Sequence, residues 1–348
     1  MPFSAVIGQE RAVGALRAAL RRGTLHHAYL FAGPAGVGKA GAARLLAEAA
    51  NCEAPATGGA GRRDDPCGQC PPCRKIERGV HPDVVWIAEE RTMARAGTWE
   101  PRGGRSPSKD VVVDQIRELV DRRLSLRRFE GRHRFAIVDP ADAMNPQAQN
   151  ALLKTLEEPP EDTTLVLLAA APDALLPTVR SRCLRLPFAP LPIGLVEERL
   201  RAEGRSPDEA RVAAALSGGS LGRALALDAG ALADLRAAVE EAAGLPAGDA
   251  RAWIDFAARR GKDREAARET CQLLLVWLRD ALARSVAGEG ARLALADLGP
   301  VTTAVAASVG PAELLRRGDR VKQALSALRH NASPALALER MLIGWFHG

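Results

Sequence analysis

The sequence predicts an α/β fold, a parallel sheet with helices on both faces, followed by an all-α C-terminal half. Continuous apolar segments of strand length alternate with helix-period segments through the first half of the chain, as expected of strands buried on both faces. A glycine loop, Gly33-Pro34-Ala35-Gly36-Val37-Gly38-Lys39, sits between one such strand and the next helix. Beyond the proline-rich stretch Leu186-Pro187-Phe188-Ala189-Pro190-Leu191-Pro192 the chain reads as helical throughout.

In chain order, Ala28 to Ala32 reads as a short buried strand, and Ala42, Leu45, Leu46, Ala49 and Ala50 recur at helical spacing after the loop. Val84 to Ile87 is the next strand, followed by a polar, Gly- and Pro-rich stretch from Glu89 to Asp110 that reads as a long surface insertion. An amphipathic helix is expected from about Val113 to Leu126, then a buried strand over Phe135 to Val138. Asn145-Pro146 supplies an N-cap and a first-turn proline for a helix with Ala148, Ala151, Leu152, Thr155 and Leu156 on one face, stopped by Pro159-Pro160. Thr164 to Ala169 is a further strand. The prolines near Leu186 mark a boundary, so domains are expected over 1–189, 190–229 and 230–348. In the last, Cys271, Leu274, Leu275, Leu278 and Leu282 form an apolar stripe, and Ser333-Pro334 opens a final helix through Trp345.

A chain of 348 residues suits two or three domains. With 47% hydrophobic and 26% charged residues it has the composition of a soluble globular protein. No apolar run reaches the roughly 20 residues that span a bilayer, and the N-terminus lacks a basic region leading into an apolar signal, so a cytosolic protein is expected. The net charge of +6 invites a nucleic-acid reading. That reading is weakened by the scatter of the arginines along an alanine-rich chain and by a single Tyr available for base stacking.

The glycine loop carries the clearest chemistry. Such loops curl so that backbone N–H groups face phosphate oxygens, while a lysine reaches the terminal phosphates and a Ser or Thr hydroxyl holds Mg²⁺. Gly33, Gly36, Gly38 and Lys39 are in place, but Ala40 stands where the hydroxyl belongs. A phosphate site without metal-assisted hydrolysis, or a turn kept for packing, both fit. Cys52, Cys67, Cys70 and Cys73 follow as C-x14-C-x2-C-x2-C, the spacing of a closed, structural Cys₄ zinc site. Gly58, Gly59, Gly61, Pro66, Gly68, Pro71 and Pro72 supply its turns, and reduced cytosolic thiols argue against disulfides. Cys183 and Cys271 are expected in the core, and His81 is not needed as a ligand.

Taken with His26-His27-Ala28-Tyr29-Leu30-Phe31, with Asn150-Ala151-Leu152-Leu153-Lys154-Thr155-Leu156-Glu157-Glu158-Pro159-Pro160 and with Ser181-Arg182-Cys183, these motifs make the chain resemble the clamp-loader subunits of bacterial DNA polymerase III, a branch of the AAA+ family. Asn331-Ala332-Ser333-Pro334-Ala335-Leu336-Ala337-Leu338-Glu339 is similar to the end of that family's C-terminal domain. The resemblance implies a RecA-like AAA+ sheet domain, a small helical lid and an all-α collar. It also implies partners: gamma/tau and delta subunits, a sliding clamp and primed DNA, with no membrane. Active relatives carry an Asp-Glu pair, a polar sensor and a phosphate-sensing arginine. Here Pro140 follows Asp139, Ala169-Ala170-Ala171 stands at the sensor, and Gly222 stands one residue before Arg223. Those losses imply a member that does not hydrolyse ATP, with ATP binding left open. Arg182 would act in trans, as an arginine finger completing the ATP site of a gamma/tau neighbour. The competing readings are a helix-end arginine paired with a carboxylate, a gamma/tau-like ATPase that tolerates Ala40, and a stand-alone zinc module that binds nucleic acid. Asp142 reads as a turn aspartate, and Glu157 and Glu158 as solvated or interfacial.

Overall fold

The structure, a computed structural model, describes residues 2–54, 64–125, 127–330 and 332–347. The loop glycines Gly58, Gly59 and Gly61, the helix-end Leu126 and Asn331 of the C-terminal motif lie outside the described residues. The chain divides into two compact units, Met1–Leu191 and Pro192–Gly348.

The first unit runs α1 (Glu10–Arg22), β1 (Ala28–Ala32), α2 (Lys39–Asn51), α3 (Pro71–Glu77), β2 (Val84–Ile87), α4 (Glu90–Arg95) and α5 (Val113–Ile116). A π-helical segment, Arg117–Arg122, carries α5 into α6 (Arg123–Ser125). Then come β3 (Arg134–Val138), α7 (Pro146–Glu157), β4 (Thr163–Ala169), α8 (Pro177–Arg180) and β5 (Leu184–Pro187). The strands form one sheet in the order β2-β3-β4-β1-β5, with every pairing parallel.

Alternate side chains of the central strands leave on opposite faces, and both faces are covered. Tyr29, Phe31, Phe135, Ile137, Val166 and Leu168 pack with Leu16, Leu20, Leu45 and Leu46 of α1 and α2. Leu30, Ala136, Val138, Leu165 and Leu167 pack with Ile116, Leu152, Leu156 and Val179 on the other face. This double burial is why the strands read as unbroken apolar runs. The Asn145 side chain accepts from the Ala148 N–H at 2.8 Å and starts α7, as its sequence signature indicates.

The structure goes beyond the sequence expectation at α1, at β5 and in the insertion. α1 carries its own signals, a buried Ala12, Leu16, Ala19 and Leu20 stripe and a left-handed Gly23 after its last turn. β5 carries almost none: it is short, contains Arg185 and Pro187, and buries only Leu186. It forms because β1 offers it a free edge, and the register continues as the Phe188 N–H donates to the Ala32 carbonyl at 2.8 Å. The Glu89 to Asp110 stretch is not a mere surface loop. It contains α4 and folds over Glu90, whose side chain is wholly buried and bonded to Arg105, Trp99 and the Ser108 N–H. The first unit also runs past 189, since Phe188 and Leu191 are buried and the Ala189 backbone pairs with the Gln9 amide in both directions.

The second unit is helical: α9 (Ile193–Ala202), α10 (Pro207–Leu216), α11 (Leu221–Ala226), α12 (Ala229–Ala243), α13 (Ala250–Arg260), α14 (Arg264–Ala287), α15 (Gly299–Val309), α16 (Pro311–Arg329) and α17 (Pro334–Phe346). Ser206 and Glu209 form a capping box at the start of α10. α14 buries Cys271, Leu274, Trp277, Leu278 and Ala281 and packs along α16, which packs along α17. Among the described residues no helix is long and apolar enough to cross a membrane.

Candidate functional site

The glycine loop joins the C-terminal end of β1 to the N-terminus of α2. Gly33 is required by close approach, because a Cβ there would lie 2.0 Å from the Phe188 carbonyl oxygen of the chain leaving β5. Gly38, the residue capping α2, has φ +103°, a left-handed conformation that side chains resist. Gln9, buried before α1, donates to the carbonyls of Val37 and Ala189 at 3.2 and 2.7 Å and ties the loop to the end of the unit. Nothing in the local sequence marks Gln9 for this role, since both partners are remote in the chain.

Lys39 lies at the start of α2, but its ammonium is engaged within the loop. It donates to the carbonyls of Gly33 at 2.5 Å and Pro34 at 2.7 Å. Burial lowers its pKa, while the nearby carboxyls of Asp139 and Asp142 work against that shift. Burial likewise raises the pKa of Asp139 at the end of β3, opposed by Lys39. Loop and strand end frame a cavity of about 300 Å³ lined by Gly36, Gly38, Lys39, Ala40, Asp139 and Pro140, among others. Loop amides and a helix N-terminus make this cavity suited to an anion. Metal-assisted hydrolysis needs a hydroxyl and a second carboxylate, and positions 40 and 140 hold Ala and Pro. Asp142 does not replace them, because its carboxylate accepts from the backbone N–H groups of Ala170 and Ala171 at 3.3 and 2.8 Å. It acts there as a turn aspartate, pinning the segment after β4.

Arg182 sits at the other end of the sheet, just before β5 and beside the residues that lead into β1. Its guanidinium meets Glu157 Oε1 at 2.7 Å and donates to the Thr178 carbonyl at 3.0 Å. Beside it is a cavity of about 500 Å³ lined by His26, His27, Glu157, Ser181 and Cys183, among others. The rings of His26 and His27 stack at 4.3 Å. Burial and then the neighbouring His26 lower the His27 pKa, with a backbone contact to Arg182 opposing. Cys183 is half-buried against the core, and burial pushes its thiol up to about 12. Cys271 is fully buried and likewise raised to about 12.

The sulfur atoms of Cys52, Cys67, Cys70 and Cys73 all lie within 4.8 Å of one another. Zn–S bonds of about 2.3 Å in a tetrahedron place sulfurs about 3.8 Å apart, so the donor set fits a tetrahedral soft-metal site. Two backbone N–H groups, of Gln69 and Cys70, point at Cys67 Sγ at 3.4 and 3.3 Å. Against the effect of burial, these and the neighbouring thiols bring Cys67 down to about 6, whereas burial raises Cys52 and Cys73. His81 stands apart: its Nδ1 accepts from the Asp83 N–H at 3.1 Å.

A parallel five-stranded sheet clad on both faces, with a glycine loop between its first strand and following helix and a helical unit following in the chain, is the fold of the AAA+ class. Within that class, residues 8–192 match the family model described as DNA polymerase III, delta subunit, and the chain belongs to that family. It is 39% identical over 197 residues to DNA polymerase III subunit delta' of Pseudomonas aeruginosa, covering 56% of this chain and 53% of that protein. It is 37% identical over 206 residues to subunit delta' of Bacillus subtilis, covering 59% and 55%. It is also 36% identical over 199 residues to subunit tau of Escherichia coli, covering 57% and 27%. The chain thus spans about half the length of the delta' relatives it matches.

Proposed function

We propose that this chain is the delta prime subunit of a DNA polymerase III clamp loader. In this reading it does not hydrolyse ATP but completes the ATP site of a gamma/tau neighbour through Arg182 and helps place a sliding clamp on primed DNA. Zinc held by Cys52, Cys67, Cys70 and Cys73 is structural, since four thiolates leave no open coordination position. Residues 190–229 serve as the lid and 230–348 as the collar that binds gamma/tau and delta subunits.

The observation that carries this reading is the state of the chain's own loop. Lys39 is bonded to loop carbonyls, Ala40 and Pro140 offer no metal ligand or base, and Asp142 is committed to backbone amides. In this reading the chemistry belongs to Arg182, and its permanently charged planar group at a solvent-facing cavity supports that role. In a reconstituted loader, Arg182→Ala should leave assembly intact and lower DNA-stimulated turnover by about 10³-fold at the one site it completes. Unchanged ATPase and clamp loading would refute the finger role.

The 36% identity to subunit tau favours one rival, a hydrolysing gamma/tau-like subunit. It requires that the purified chain hydrolyse Mg·ATP and that Lys39→Ala abolish the activity. We expect no turnover in either protein.

A further inference from the structure

We propose that Glu157 is a positioning residue for Arg182, holding the guanidinium at the cavity mouth and withholding it until phosphate oxygens of the neighbour's ATP displace the carboxylate. The inference rests on the finger reading of Arg182 given above.

Glu157 is the last residue of α7. The carbonyls of a helix end carry partial negative charge, so a carboxylate there is unfavourable unless a cation offsets it. α7 has no acidic residue in its first turn, and at its end Glu157 and Glu158 outnumber Lys154, the one base of its last turn. Glu157 pairs with Arg182, 25 residues away in the chain.

The pairing geometry suits an exchange. One arm of the guanidinium meets Glu157 Oε1 at 2.7 Å and another the Thr178 carbonyl at 3.0 Å, so its plane is fixed by two segments. A carboxylate and a phosphate present similar paired oxygens to this fork, and the phosphate carries more charge. Arg182 keeps 37% of its side-chain surface exposed and Glu157 52%. Exposed pairs are weakly held and readily replaced, whereas a buried pair would be a fixed tie. His27 lines the same cavity, and burial and then the neighbouring His26 lower its pKa, which favours its neutral form.

The test uses the reconstituted loader with gamma/tau and delta subunits, measuring Mg·ATP turnover with and without primed DNA. Glu157→Gln keeps the size and removes the charge. It should raise DNA-independent turnover by up to about fivefold, the ceiling set by an exposed ion pair, and leave the DNA-stimulated maximum unchanged. Salt screens an exposed pair, so the gap between variant and wild type should narrow as ionic strength rises. In an Arg182→Ala background the Gln substitution should have no effect. A Glu157→Gln loader with wild-type basal turnover, or with basal and stimulated rates falling together, overturns the positioning role while leaving the finger intact. If Arg182→Ala itself leaves stimulated turnover unchanged, the finger reading fails and the positioning role fails with it.

Discussion

Gly33 is where the loop and the sheet meet, and the structure gives its identity a measurable consequence. A methyl group there would overlap the Phe188 carbonyl, so Gly33→Ala must push β5 off β1 or distort the loop. We expect a loss of about 3 kcal/mol in urea denaturation. Ala40 makes a different point. If one missing hydroxyl were the whole defect, Ala40→Ser would restore Mg²⁺-dependent hydrolysis. We expect no turnover from that variant, because Pro140 still supplies no carboxylate and Asp142 stays bound to the amides of Ala170 and Ala171. Both absences are legible in the sequence, since the side chain named at a position states what it lacks. The inward turn of Lys39 and the pairing of Arg182 with Glu157 are not, because each depends on partners the folded chain brings together.

At the scale of elements, the segment from Glu89 to Asp110 shows what composition conceals. Its polar, glycine-rich sequence resembles a solvated loop, yet it is organised around one buried carboxylate. Burial pushes the Glu90 carboxyl up, but bonds from Arg105, the Ser108 N–H and Trp99 outweigh this and hold it below its ordinary value of 4.5. A depressed acid pKa contributes stability that is present above that ordinary value and is lost as pH falls through the folded one. Glu90→Gln should therefore cost about 2–3 kcal/mol at pH 7, with the gap to wild type closing below about pH 4. Denaturant titrations across that range check the sign, and a constant gap would argue that packing dominates over charge. β5 was illegible for a related reason: its stability comes from the edge of β1, and one buried residue in four leaves no pattern to read.

At the scale of the whole molecule, two units with separate cores should respond separately to loss of metal. The cysteine cluster lies wholly within the first unit. We expect the purified chain to carry one zinc, and chelation to lower the first unit's thermal transition while the transition of residues 192–348 stays in place. A metal-free chain with unaltered melting would remove zinc from the account. Strand and helix periods, the cysteine spacing, the presence of Ala40 and Pro140, and the proline-rich stretch ahead of the helical half were determined by sequence alone, because each is set by residues near one another in the chain. Tertiary structure alone decided that β5 completes the sheet, that Gln9 binds the loop to Ala189, that Lys39 turns inward and that Glu157 meets Arg182. Those contacts join residues whose local sequences carry no signal for one another, and they exist only once the burial of two apolar faces has closed the chain around its sheet.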